Sequence, residues 1–138
     1  MIGRSELRIV CNADSTSARR LRQALRSFLD VFALERDLAE DILLAIGEVL
    51  SNAIEHGSDA TGRSHLELFA RSGGDDTLAI AVHDDGKFIE RERLPNRGYG
   101  LRIVRAIARS VTIETSGGTN VEMVFGRSRS PVCSSAQR

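Results

Sequence analysis

Apolar residues recur along this chain with two different periods. From Asp41 to Gly57 (DILLAIGEVLSNAIEHG), a helical arrangement puts Ile42, Ile46, Val49, Leu50 and Ala53 on one face, with Asp41, Glu48, Asn52, Glu55 and His56 on the opposite stripe. That pattern predicts a central helix with a core side and a side that offers oxygens and an imidazole, ended by Gly57 and the polar segment Ser58 to Ser64. Upstream, Ala18, Leu21, Leu25, Phe28, Leu29 and Phe32 recur at steps of three and four, which predicts a helix capped by Ser15 or Ser17. Its other faces carry Arg19, Arg20, Arg22 and Arg26, a basic surface suited to solvent or to an acidic protein. Leu34 to Asp37 leads into the central helix.

The second period is two. Glu6 to Cys11 (ELRIVC) reads as an opening strand at or near a sheet edge. Leu66 to Arg71 and Thr77 to His83 read as two antiparallel strands joined by SGGDD, and Val111 to Thr115 and Thr119 to Phe125 as a second hairpin joined by Ser116-Gly117-Gly118. Between the hairpins, Asp84-Asp85-Gly86 is followed by a polar, Arg-rich stretch containing Pro95, which predicts a long mobile lid over Lys87 to Asn96. Arg97-Gly98-Tyr99-Gly100-Leu101 then opens a helix whose apolar positions are Leu101, Ile103, Val104, Ile107 and Ala108. The order β-α-α-β-β-α-β-β predicts an α+β fold: a two-layer sandwich whose mixed, mostly antiparallel sheet carries helices on one face. The other face is left to solvent or to separate cover.

At 138 residues the chain is one domain, taken as residues 1–126, followed by a polar, Ser-rich tail over 127–138 that is expected to be frayed. Apolar residues at 41% and charged residues at 28% describe a soluble globular chain. The 19 basic residues balance the 19 acidic ones, which gives no support for direct nucleic-acid binding, although every basic residue except Lys87 is Arg, the better partner for carboxylate or phosphate. Cys11 and Cys133 match no metal or redox spacing and no signal-like run opens the chain, so the expected location is the cytoplasm. No apolar run approaches the roughly 20 residues needed to cross a bilayer, so no membrane association is expected.

Several polar positions have chemistry to offer. Glu48 and Asn52 lie four apart, so on a helix they are neighbours able to share a ligand or a metal ion. Gly98 and Gly100 precede a helix start, where unpaired N–H groups and the positive dipole end favour a phosphate. Asp84 at a strand end, with Gly86 two residues on, can accept a hydrogen bond from a base amino group while the glycine leaves room for the base. Thr119 at a strand start can hydrogen-bond a ligand. Each also has an ordinary reading as a solvated face, a tight loop, a turn or a strand residue.

Taken together and in this order, the pieces resemble the ATP-binding domain of the GHKL superfamily, which includes gyrase, heat-shock chaperones, histidine kinases and mismatch-repair ATPases. The string from Glu48 to Gly57 (EVLSNAIEHG) looks like its N box, Asp84-Asp85-Gly86 like its adenine box, Arg97 to Leu101 like its phosphate box, and Gly118-Thr119 like its final threonine element. The resemblance covers about Leu7 to Phe125 and departs at Lys87-Phe88, where the family pattern usually places a second glycine. Size and the Glu-x-x-x-Asn-x-x-x-His-Gly string look most like the anti-sigma-factor serine kinases of bacterial partner-switching systems. That resemblance implies ATP and Mg²⁺ as cofactors, Glu48 as general base, Asn52 as the metal ligand, and His56 as a member of the matched string or a cap for its helix. It further implies that Asp84 and Gly86 read adenine, that Thr119 supports them through water, and that Gly98, Tyr99, Gly100 and Leu101 line the phosphates. Arg97 would add charge there.

The implied function is a protein serine kinase and anti-sigma switch that sequesters a sigma factor or similar regulator, phosphorylates a serine of its antagonist protein, and forms a homodimer. The alternatives are a nucleotide-gated binding module without kinase activity and a severed histidine-kinase catalytic domain. His83 lies at a strand end with no dimerisation hairpin before it, which argues against a phosphoacceptor role. His65 reads as a surface strand residue.

Overall fold

The computed structural model describes residues 5–56, 65–73, 75–86 and 99–127. Strand β1 (Glu6–Asn12) is followed by helices α1 (Ser15–Asp30) and α2 (Arg36–His56) and by the hairpin of β2 (His65–Ser72) and β3 (Thr77–Asp84). Helix α3 (Tyr99–Ile107) precedes a second hairpin of β4 (Ser110–Glu114) and β5 (Thr119–Gly126). The sheet order is β1-β2-β3-β5-β4, and every pairing is antiparallel, the limit of the mostly antiparallel sheet expected from sequence. Strand β1 occupies an edge as expected, whereas β5 rather than β4 is the strand that joins the two hairpins.

Alternation decides which residues face the helices. Leu66, Leu68 and Ala70 of β2, Leu78, Ile80 and Val82 of β3, and Val121, Met123 and Phe125 of β5 are all buried. They meet Leu21, Leu25, Phe28 and Leu29 of α1, Val104 of α3, and a wide face of α2 that adds Leu38, Leu43 and Ala45 to the five positions expected there. Burial of a leucine such as Leu68 contributes enough that truncation to alanine typically costs about 2–5 kcal/mol. The opposite sheet face carries Glu67, Phe69, Arg71, Ala79, Ala81 and His83, none of them buried. No helix among the described residues is long and apolar enough to cross a membrane.

Helix boundaries depart from the sequence reading in two places. The cap of α1 is Asp14, not Ser15 or Ser17: its backbone is extended and its Oδ1 accepts the Ser17 N–H at 2.7 Å. A carboxylate at this position also meets the positive end of the helix dipole, an advantage a serine hydroxyl lacks. Helix α2 begins at Arg36, five residues before the periodic string, because Leu38 belongs to the core one turn ahead of Ile42. Arg26 and Glu40 link the two helices at 2.7 Å across an exposed edge. Beyond the end of α1, the Phe32 ring packs edge-on against Phe28, and the Arg127 guanidinium lies 4.8 Å from its centroid, which ties the end of β5 to the helix layer.

The Asp14 cap has a pH signature. Hydrogen bonds from Ser17, the backbone N–H first, hold its carboxyl below the usual carboxylate range. A folded-state value below the unfolded one stabilises the fold at pH above the ordinary carboxylate value of about 3.9, and the contribution is lost as pH falls through the folded value. Asp14→Ala is therefore expected to lower Tm by a few degrees at pH 7, with the gap to wild type closing in acid, as thermal melts across a pH series would record.

Candidate nucleotide site

The end of the β3–β5 pair gathers three of the residues singled out above. The register sets Asp84 opposite Thr119, and both point into the helix-covered layer, at 5% and 2% exposure. Asp84 Oδ1 accepts the Gly86 N–H at 2.8 Å, which folds the chain back immediately after β3. The Thr119 hydroxyl donates to the Gly86 carbonyl at 3.1 Å and holds that turn from β5. Gly118 completes the arrangement: its φ is +99°, and a Cβ built there would fall 2.2 Å from the Asp84 carbonyl oxygen. Among the described residues no buried side-chain nitrogen or oxygen lacks a hydrogen-bond partner. A buried carboxylate tolerates this position because its polar atoms are hydrogen-bonded, Oδ1 by the Gly86 N–H.

Asp85, one residue on, points the other way. Its Oδ2 accepts the His65 backbone N–H at 3.1 Å and lies 3.0 Å from His65 Nδ1, at the outer side of the sheet end.

The other candidates lie on the helices. Glu48 and Asn52 are half-buried and one turn apart on α2, so the polar stripe is not simply a solvated face. Glu48 lines a groove of about 350 Å³ between α1 and α2, together with Arg19, Arg22, Gly47 and Ser51. Gly47 lies beside Arg22 in this groove: a Cβ built there would meet Arg22 Nε at 3.7 Å, an ordinary van der Waals contact. This proximity escaped the sequence reading, which placed the arginines on the other faces of their helix. His56 is the last residue of α2. Tyr99, Gly100 and Leu101 form the first turn of α3, and α3 packs against α2. Arg97 and Gly98, like the expected lid over Lys87 to Asn96, lie outside the described residues, as does the tail beyond Arg127.

No group of three or more His, Cys, Asp or Glu side chains among the described residues is placed to hold a metal ion. That donor set fits Mg²⁺ only in the form in which substrate phosphates and water supply most of the ligands and the protein adds one or two oxygens. The Asn52 side-chain carbonyl is an oxygen of that kind.

Residues 11–125 match the histidine kinase-like ATPase domain. The chain belongs to that family. Among solved structures it is similar to the RsbU and RsbW domains of Rv1364c from Mycobacterium tuberculosis, with 26% identity, a TM-score of 0.72, and coverage of 88% of this chain and 32% of that one. It is also similar to the histidine kinase domain of the blue-light activated histidine kinase EL346 from Erythrobacter litoralis, with 29% identity, a TM-score of 0.53, and coverage of 64% of this chain and 47% of that one. The chain thus spans about a third of the first relative and about half of the second.

Two substitutions test the geometry without any ligand. Thr119→Val removes the donor to a buried carbonyl and is expected to cost about 1–3 kcal/mol. Gly118→Ala is expected to cost more, because a side chain in a left-handed conformation alone costs about 1–3 kcal/mol and its Cβ would also displace the Asp84 backbone. Urea titration should show lower midpoints with an unchanged slope for both.

Proposed function

We propose that this protein is an ATP- and Mg²⁺-dependent protein serine kinase that works as an anti-sigma-type switch. The observation that carries the nucleotide part is the buried chain of hydrogen bonds through Asp84, Gly86 and Thr119, which fixes the Asp84 carboxyl at the end of β3. The partner-switching part is supported by the likeness to a chain described as carrying RsbU and RsbW domains. On this reading the protein acts in the cytoplasm as a homodimer, holds a sigma factor or similar regulator, and phosphorylates a serine of that regulator's antagonist.

Asp84 accepts a hydrogen from the adenine amino group, and the Gly86 N–H keeps its carboxylate in the orientation that does so. Thr119 holds Gly86, and with it the space in front of the base. The first turn of α3, from Tyr99 to Leu101, offers backbone N–H groups to the phosphates, and the family resemblance gives Gly98 and Arg97 the same role. Asn52 supplies an oxygen for Mg²⁺, which when bound neutralises phosphate charge and orients the transferred group. Glu48 orients the acceptor serine and takes its hydroxyl proton as the oxygen attacks the γ-phosphorus and the bond to ADP breaks.

A second reading has a specific observation behind it. Glu48 faces a groove shared with Arg19 and Arg22, a setting suited to docking a partner's charged side chain as well as to catalysis. In that case the protein is a nucleotide-gated binding module whose Glu48 grips its target.

ATP titration and single-turnover transfer to candidate antagonist proteins distinguish the two. Asp84→Ala should weaken ATP binding about tenfold to a hundredfold, the usual loss for a hydrogen bond to a charged acceptor. Glu48→Ala should leave ATP affinity nearly unchanged and slow transfer about 10²- to 10⁴-fold, whereas Asn52→Ala should harm both. Full transfer activity in Glu48→Ala would remove the base and leave the binding module.

A further inference from the structure

We propose that His65 and Asp85 form a clamp that aims Asp84 at the base, a positioning role for two residues that do not touch the nucleotide. The inference rests on the reading of Asp84 as the adenine acceptor. Backbone pairing between β2 and β3 ends at Leu66 opposite Asp84. Beyond that rung, the ladder is continued by a side chain: Asp85 Oδ2 accepts the His65 N–H at 3.1 Å and meets the His65 ring nitrogen Nδ1 at 3.0 Å. His65 is itself in register with Asn12 of β1, so Asp85 ties the turn to two strands through one residue.

The turn that follows Asp84 is therefore held from both sides. Thr119 holds it from the helix-covered side through Gly86, and Asp85 holds it from the open side through His65. Asp84 sits between the two attachments, so loss of either lets its carboxylate swing relative to a base whose position is set elsewhere. Both partners are partly exposed, at 63% for the His65 side chain and 33% for Asp85. Exposed pairs of this kind contribute little to global stability, so the consequence is local. Recognition by a single hydrogen bond is sensitive to displacements far smaller than those that unfold a strand. Carboxylate geometry rather than charge is the operative property, because Oδ2 acts as an acceptor for two donors.

The test compares ATP with purine riboside triphosphate, which lacks the 6-amino group, by titration in the presence of Mg²⁺. Wild type is expected to prefer ATP. Asp85→Ala should weaken ATP about 3- to 10-fold while leaving the amino-free analogue within about twofold, so that discrimination narrows. Asp85→Asn keeps an oxygen able to accept from His65 and should restore discrimination. His65→Ala retains the backbone N–H and should fall between Asp85→Ala and wild type, which provides a second route if Asp85→Ala does not fold. Melting curves without nucleotide should place Asp85→Asn and His65→Ala close to wild type. Unchanged discrimination in Asp85→Ala or, failing its expression, in His65→Ala would overturn the clamp while leaving the base reading intact. Discrimination as poor in Asp85→Asn as in Asp85→Ala would also overturn it, since charge and not the acceptor would then matter. Equal wild-type affinity for the two nucleotides would overturn the base reading, and the clamp with it.

Discussion

The register between β3 and β5 is the constraint on which the site depends. It sets Asp84 beside Thr119 on the same side of the sheet as Val82, Ile80, Val121 and Met123, so a carboxylate and a hydroxyl terminate an apolar row. A slip of one residue in β3 would turn Asp84 to the open face, bring His83 into the core, and exchange the faces of the other residues of the strand with them. The apolar alternation of both strands penalises that slip, so hydrophobic burial along the length of β3 and β5 fixes a polar arrangement at their end. The site carboxylate is thus positioned by residues that have no polar chemistry of their own.

Burying Asp84 costs free energy that the hydrogen-bonded turn must offset. The Gly86 N–H satisfies one carboxylate oxygen, and the Gly86 carbonyl, which would otherwise be stranded, is satisfied by Thr119. Gly118 makes the approach possible, since its neighbour across the strand is the Asp84 backbone and no side chain fits between them. These contacts are mutually dependent: without the glycine the strands separate at this end, and without the threonine the turn loses its inner support. Four residues from two separate stretches therefore behave as one unit, and no single one of them could be exchanged at little cost.

Much of this was legible beforehand because it is local or periodic. The helical spacing of Ile42, Ile46, Val49, Leu50 and Ala53 marks the core side of α2, all five being buried, and the glycine-rich turns mark both hairpins. The grouping of Asp84, Gly86 and Thr119 was reached only through their joint order along the chain, since Asp84 and Thr119 are brought together by a strand pairing that crosses α3 and β4. Periodicity does not identify the partner of a strand, and so the insertion of β5 between β3 and β4 was not foreseen. The Asp14 cap was missed for a different reason. In the run Asp14-Ser15-Thr16-Ser17 every residue is a capable cap, and the choice depends on where the backbone turns extended. His65 and Asp85 lie 20 positions apart and are joined by side-chain geometry alone, which leaves no trace in spacing.

Helix α2 carries the opposite kind of information from the sheet. Its apolar side is held by α1, α3 and β3, which leaves Glu48 and Asn52 with little freedom of rotation about the helix axis. Glu48 lines the groove that Arg19 and Arg22 of α1 also line, while Asn52, a turn later, lies nearer the end of the helix at His56. A single element therefore carries Glu48 at the groove beside α1 and, one turn on, Asn52. If a partner protein occupies the groove, the same helix that it touches carries Asn52, proposed to hold the metal, and Glu48, proposed to act on the acceptor serine.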